Sequence, residues 1–347
     1  MKKRIFWLDF AKGATIFLVV LGHVLAAIFN NLTVSDGLGT TLFKSVMYLI
    51  FLSIMPIFFA LSGFLYSDVS DFKKYRKMIL KKFVSLGVPY TIFSILLVIL
   101  SVIFKLDISG VSGLIDILYI AIKPIAYLWF LQALFLAFVI IGLFSLLKIK
   151  PSVQLVILLV GTFVGELVSD KQFYFYIMQS FSWALCFYLG YLIKSNKKLL
   201  SQKMVMASVV AMIISIIWQV TVDNEWYLRG DFFNFENTIA KLASIFIFLY
   251  IYQKVPENNR LFRKFSIYGR ESLVIYLIHV PVISIFRKVL MMQGITNIVV
   301  IFVVCLLGSW YTSICVNWVV TRFKPLDFVF YPLRYINIDK FYNRHLS

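Results

Sequence analysis

The sequence predicts an all-α, polytopic membrane helical bundle of about ten transmembrane helices, and three observations lead there. Hydrophobic residues fill 61% of the 347 positions and charged residues only 14%, whereas soluble domains run nearer half apolar and a quarter charged. Ten apolar segments are long enough to cross a bilayer. The cations then sort to one side of those segments. The net charge of +18 is therefore read as membrane topology, and nucleic acid is excluded as a partner.

The segments lie at roughly 13–31, 42–66, 83–104, 125–147, 153–169, 175–193, 204–222, 237–253, 271–290 and 298–321. The first follows Lys2, Lys3 and Arg4. It is too long for a signal peptide and no small-residue cleavage site follows, so it reads as a retained span. The second contains Pro56, which removes one helix hydrogen bond and can bend the helix or open it to a cavity. Ser62-Gly63, near its inner end, permits close backbone approach. With the N-terminus placed inside, 26 Lys and Arg fall on the inner side and 8 on the outer (Lys44, Lys105, Lys123, Lys171, Arg229, Lys241, Arg287 and Lys288), as the positive-inside rule requires. Both termini are expected to be cytoplasmic. A single transmembrane domain is expected over 1–347, with no separate soluble domain. The inner loop DFKKYRKMILKK suits anionic lipid, and its cations also suit a polyphosphorylated ligand. An outer loop gathers Asp223, Glu225, Asp231 and Glu236 with Trp226, Tyr227, Phe232 and Phe233. That loop reads as an interfacial aromatic belt or as a lip for sugar. Cys186, Cys305 and Cys315 sit in apolar segments without metal-ligand spacing, so they are packing residues and no metal is expected.

Two stretches carry ionisable groups into spans. In the first span, Lys12 and His23 are eleven residues apart. They share a helix face about 16 Å apart along the axis. Asp9 lies one turn before Lys12. The second stretch is YGRESLVIYLIHVPV, Tyr268 to Val282. Arg270 and Glu271 stand at the inner mouth of the ninth span, and Ser272, Tyr276 and His279 follow on one face. His279 is about 12 Å along the helix from Glu271. His23 and His279 thus enter from the same side to similar depths, while His345 lies in the polar tail. An ionisable group inside a span raises a functional hypothesis. Two imidazoles at one depth suit acyl transfer: one removes a proton from an attacking hydroxyl, and a second ring, a tyrosine or a cation stabilises the oxyanion. A snorkelling lysine and two structural histidine hydrogen bonds fit the same pattern. Trp129, at the outer end of the fourth span, is placed as a belt residue, and Gln132 is the polar group there able to reach a glycan.

Taken in order, LDFAKGATIFLVVLGH, MPIFFALSGF, VPY at Val88–Tyr90, WFL at Trp129–Leu131, FYLGYLI at Phe187–Ile193 and YGRESLVIYLIHVP resemble the successive motifs of the integral-membrane acyltransferase 3 family. The flavour is that of its fucose 4-O-acetylase-like subgroup. The first and last motifs are the specific ones. The resemblance implies O-acylation, usually O-acetylation, with cytoplasmic acetyl-CoA as acyl donor and a cell-surface or lipid-linked carbohydrate as acceptor, at the plasma membrane. It carries the family's cation-then-histidine motif onto Lys12 and His23. Many members have arginine at the Lys12 position; lysine keeps the charge but loses the bidentate fork. Many also have a histidine where this chain has Ile54, so that group is absent here.

The expected site follows from both readings. His23 acts as base, with Tyr276 and His279 on the thioester or its oxyanion. Lys12, Arg270, Lys81 and Lys82 hold the phosphates of CoA, and Trp129, Gln132 and Ser62 meet the acceptor. Two other classes fit the same bundle. A glycan or lipid-intermediate transporter would move glycan without using acetyl-CoA. A degenerate sensor would tolerate changes at both Lys12 and His23. The acceptor's identity and the oligomeric state leave no mark in the sequence.

Overall fold

A computed structural model describes residues 5–29, 37–104, 108, 110–167, 172–223, 225–228 and 235–340. Lys2, Lys3, Arg4, Asp231, Phe232, Phe233 and His345 lie outside the described residues. All regular structure among those described is helical. The helices are α1 Phe6–Phe29, α2 Leu38–Leu65, α3 Phe72–Lys82, α4 Val88–Phe104, α5 Trp129–Leu146, α6 Pro151–Leu167, α7 Gln172–Ser195, α8 Gln202–Val222, α9 Phe235–Lys254, α10 Arg260–Arg270, α11 Ser272–Met292, α12 Ile298–Val320 and α13 Lys324–Phe330.

Among the described residues, seven helical stretches are long and apolar enough to cross a membrane: α1, Gly39–Leu65 of α2, Phe72–Phe104, Ala126–Leu146, α8, α11 and α12. The expected segment at 153–169 becomes α6, whose 17 residues fall short of that length. Those at 175–193 and 237–253 become α7 and α9, with 24 and 20 residues. Neither α7 nor α9 is among the seven, and α9 carries Glu236, Lys241 and Lys254.

Two stretches expected as inner loops turn out to be helices. The basic stretch DFKKYRKMILKK forms α3, capped by Asp71, which accepts from the Lys74 N–H at 2.8 Å. Lys81 and Lys82 end it, where cations complement the helix dipole. A π-helical turn over Phe83–Gly87 carries it on into α4. Likewise RLFRKFSIYGR forms α10, capped by Asn259 on the Leu261 N–H at 2.9 Å.

The chain divides into two compact units. The first comprises Met1–Tyr66 and Leu155–Cys315, with α1 at its centre, against α2, α9, α10 and α11. Two glycine crossings set its helix spacing. A Cβ on Gly13 would fall on the Phe265 carbonyl oxygen, and one on Gly269 would fall on that of Asp9. The backbones of α1 and α10 therefore touch. In the same way a Cβ on Gly63 would meet the Phe187 carbonyl and one on Gly190 that of Ala60, so α2 and α7 cross backbone to backbone. Around the first crossing, Phe10 stacks on Phe262 with centroids 4.9 Å apart. Phe17 and Tyr268 both meet the Trp310 edge, at 5.2 and 5.0 Å.

The second unit comprises Ser67–Gln154 and Val316–Ser347. There α3 packs on α5, with Tyr75 and Met78 over Gly142. Ser145 accepts from the Val69 N–H at 3.0 Å. Phe93 of α4 meets Phe330 of α13 at 5.4 Å.

Candidate active site

Helix α1 carries Lys12 near its start and His23 eighteen residues into its 24. The Nδ1 of His23 lies 2.9 Å from the Val19 carbonyl oxygen. On α11 the Nδ1 of His279 lies 2.6 Å from the Tyr276 carbonyl and 3.1 Å from that of Ile275. A carbonyl can only accept, so each neutral ring carries its proton on Nδ1 and keeps its lone pair on Nε2. The two rings meet edge to face, with centroids 4.9 Å apart and planes at 81°. His279 is fully buried, whereas His23 is partly exposed. The sequence-derived match in depth is therefore a direct contact, with His23 in front and His279 behind it.

The walls of this pair are aromatic and aliphatic. Phe51 of α2 presents its ring to His23 at 5.5 Å. The Tyr276 ring stands 6.0 Å from His279 and is buried. Outward along the same helices, Val24 and Ile28 pack with Ile283 and Leu290, and with Ile301 and Cys305 of α12. Ile54 is fully buried on α2, three residues on from Phe51 and so on its helix face. The site's two imidazoles thus come from α1 and α11, and α2 brings the Phe51 ring to His23.

Lys12 and Arg270 flank the α1–α10 crossing, each one residue from its glycine. Asp9, one turn before Lys12, attracts its ammonium. Ser62 is elsewhere. Its hydroxyl donates to the Phe58 carbonyl at 3.0 Å, and it stands about 16 Å along α2 from Phe51. The arrangement can deprotonate a hydroxyl at Nε2 of His23. Lys12 lies towards the far end of the same helix, about 16 Å along its axis from His23.

One comparison with known proteins decides the class of chemistry. The Acyl_transf_3 family model, an acyltransferase domain, matches residues 5–314. The chain belongs to the acyltransferase 3 family. No curated protein and no solved structure matches it significantly. With its apolar helices, membership makes the chain a membrane acyltransferase.

The remaining expected residues of this acyltransferase lie in the second unit. Lys81 pairs with Asp339 at 2.9 Å, as does Lys77 at 2.7 Å. Hydrogen bonds from Lys77 and Lys81 hold the Asp339 carboxyl below the usual carboxylate range. Lys82 sits 3.9 Å over the Phe138 ring. Gln132 donates to the Ala121 carbonyl at 2.6 Å, and Trp129 opens α5.

Sequence reasoning missed two features of this acyltransferase. It counted Lys241 among outer cations, yet that side chain is fully buried. A lysine deep in an apolar segment was the signal available. It also gave Gly13 and Gly269 no role, because a crossing partner cannot be read from either helix alone.

Proposed function

We propose that the protein is an O-acetyltransferase that moves an acetyl group from cytoplasmic acetyl-CoA to a hydroxyl of a cell-surface or lipid-linked glycan. The contact between the His23 and His279 rings, each with Nε2 left basic, is the observation that carries this reading. The acceptor oxygen bonds to the acetyl carbonyl carbon as His23 Nε2 takes its proton. The carbon–sulfur bond then breaks, and the sulfur leaves with that proton as the CoA thiol. The Tyr276 hydroxyl supports the oxyanion formed between these steps, and His279 packs against the His23 ring.

Lys12 and Arg270 hold the CoA phosphates at the inner mouth. The separation of about 16 Å between Lys12 and His23 suits the pantetheine arm. The whole acts as one transferase domain of ten crossings in the plasma membrane, with both termini cytoplasmic. The 26 to 8 division of cations supports that topology. The subgroup is the fucose 4-O-acetylase-like one, on motif resemblance.

The test is CoA release by the purified protein, given acetyl-CoA with and without a cell-envelope glycan extract. Glycan-dependent release that collapses in His23→Ala is expected. Full transfer by a folded His23→Ala protein would remove the mechanism.

A further inference from the structure

Helix α10 has two unlike faces. Phe262 and Gly269 are buried and Phe265 is half-buried, and these residues dock the helix on α1. Arg260, Leu261, Arg263, Lys264 and Ile267 are exposed. At about 100° per residue, Arg260, Arg263, Lys264 and Ile267 fall within an arc of about 100°, opposite Phe262 and Gly269, and Leu261 borders it. Between Glu257 and Glu271 the chain carries no carboxylate side chain.

The contacts of the buried face place the exposed one. Phe262 stacks on Phe10, and a Cβ on Gly269 would fall on the Asp9 carbonyl oxygen. Phe262 and Gly269 are about 10 Å apart along α10, yet they meet neighbouring residues of α1. Between them, Phe265 reaches Phe10 at 6.2 Å and Phe17 at 5.9 Å. Helix α10 therefore lies across α1 rather than along it, and does so near the start of α1 at Phe6. A helix laid across a membrane span near its end lies at the boundary of lipid and water.

A face turned to water would account for the cations alone. It does not account for Leu261 and Ile267 beside them, at 59% and 43% exposure. Nor does the protein supply an anion of its own here. On the other basic helix, α3, Asp339 engages Lys77 and Lys81. Among the described residues, no hydrogen bond or ion pair engages the side chains of Arg260, Arg263 and Lys264. We propose that this face of α10 docks on anionic phospholipid headgroups, with Arg260, Arg263 and Lys264 on the phosphates and Leu261 and Ile267 at the acyl boundary. Cations at a membrane surface attract anionic lipid, and apolar side chains on such a helix sink to the edge of the acyl region. The assignment stands apart from the acyl-transfer reading, since it needs neither donor nor acceptor.

The experiment places the full chain in phosphatidylcholine bilayers with a trace of spin-labelled phosphatidylglycerol or spin-labelled phosphatidylcholine. The motionally restricted fraction of each label gives the preference for the anionic lipid. Wild type should prefer phosphatidylglycerol, less so at high salt. Arg260→Gln/Arg263→Gln/Lys264→Gln should lower that preference by about fivefold or more, the weight of at least one surface cation. Lys197→Gln/Lys198→Gln/Lys203→Gln removes the same charge from exposed positions elsewhere and should leave most of the preference. An unchanged preference in the α10 variant overturns the inference. So do equal falls in the two variants, which would show bulk charge rather than a site. Weaker acetyl-CoA binding by the α10 variant with its lipid preference intact would give the cations to the donor instead, and also overturns it. Should the α10 variant not fold, a photoactivatable phosphatidylglycerol is crosslinked to wild type: label within residues 260–267 is expected, and label confined to other segments refutes the assignment.

Discussion

Replacing Gly13 by alanine tests whether the α1–α10 crossing positions the chemistry. The added Cβ would stand 2.7 Å from the Phe265 carbonyl carbon and 3.0 Å from the Gly269 nitrogen. Carbon atoms prefer about 3.5–4.0 Å, so the two backbones must part by roughly 1 Å. Neither contact can swing aside, because both are main chain. Only Glu271 separates α10 from α11, so the displacement passes to the helix that carries His279. A misplacement of about 1 Å can cost 10²-fold in rate, and overpacking of this kind costs about 1–3 kcal/mol in stability. The assay is CoA release at saturating acetyl-CoA, beside thermal unfolding in detergent. A folded Gly13→Ala protein should show kcat down by about two orders of magnitude. Gly39→Ala, where a Cβ meets nothing within 4 Å, should match wild type. Wild-type turnover in Gly13→Ala would refute the reasoning.

His23→Ala should lower kcat by about 10²–10⁴-fold, and adding His279→Ala should cost much less than the product of the two single effects, since both act on one transition state; independent effects in a double-mutant cycle would separate the rings functionally. Gly190→Ala should lower stability by about 1–3 kcal/mol, because its Cβ would strike the Ala60 backbone; an unchanged melting temperature would contradict the α2–α7 crossing. For Asp339, the folded carboxyl titrates below its unfolded value because Lys77 and Lys81 bond it. Its contribution is therefore present above about pH 4, the unfolded carboxylate range, and fades as pH falls through the lower folded value. The side chains are largely exposed, so the pair contributes less than about 1 kcal/mol. Protease nicking near residue 339 should rise below that pH in wild type and be pH-independent in Asp339→Asn, and identical profiles would count against the pairing.

Hydropathy carried the long elements. The expected span at 125–147 corresponds to a helical stretch over Ala126–Leu146, and that at 204–222 to α8. Depth counting along two separate helices matched His23 to His279 in depth, because a rigid helix converts residue number into distance; their contact is tertiary. What stayed hidden was tertiary. The stretch RLFRKFSIYGR is too short and too charged to register as a span, yet its apolar stripe of Phe262 and Phe265 docks α10 on Phe10. Lys241 looked like one of eight outer cations because charge counting assigns a side of the membrane, not a depth.

The two motifs proposed to carry the chemistry are joined twice, and at matched spacing. Gly13 meets Gly269 at the inner crossing, and His23 meets His279 further out. Ten residues separate the two positions in each motif, about 15 Å along a helix. The segments therefore run parallel and in register, with α10 and α11 together matching the rise of α1 across the break at Glu271. The crossing fixes that register, since only glycine on both sides lets the backbones touch. One residue inserted between Gly269 and His279 would turn His279 by about 100° and shift it about 1.5 Å, out of contact with His23, while leaving every residue of both motifs present. Loss of transfer in such an insertion, with helix content and acetyl-CoA binding intact, would show that the spacing itself is a catalytic requirement; retained transfer would mean that the rings work without touching.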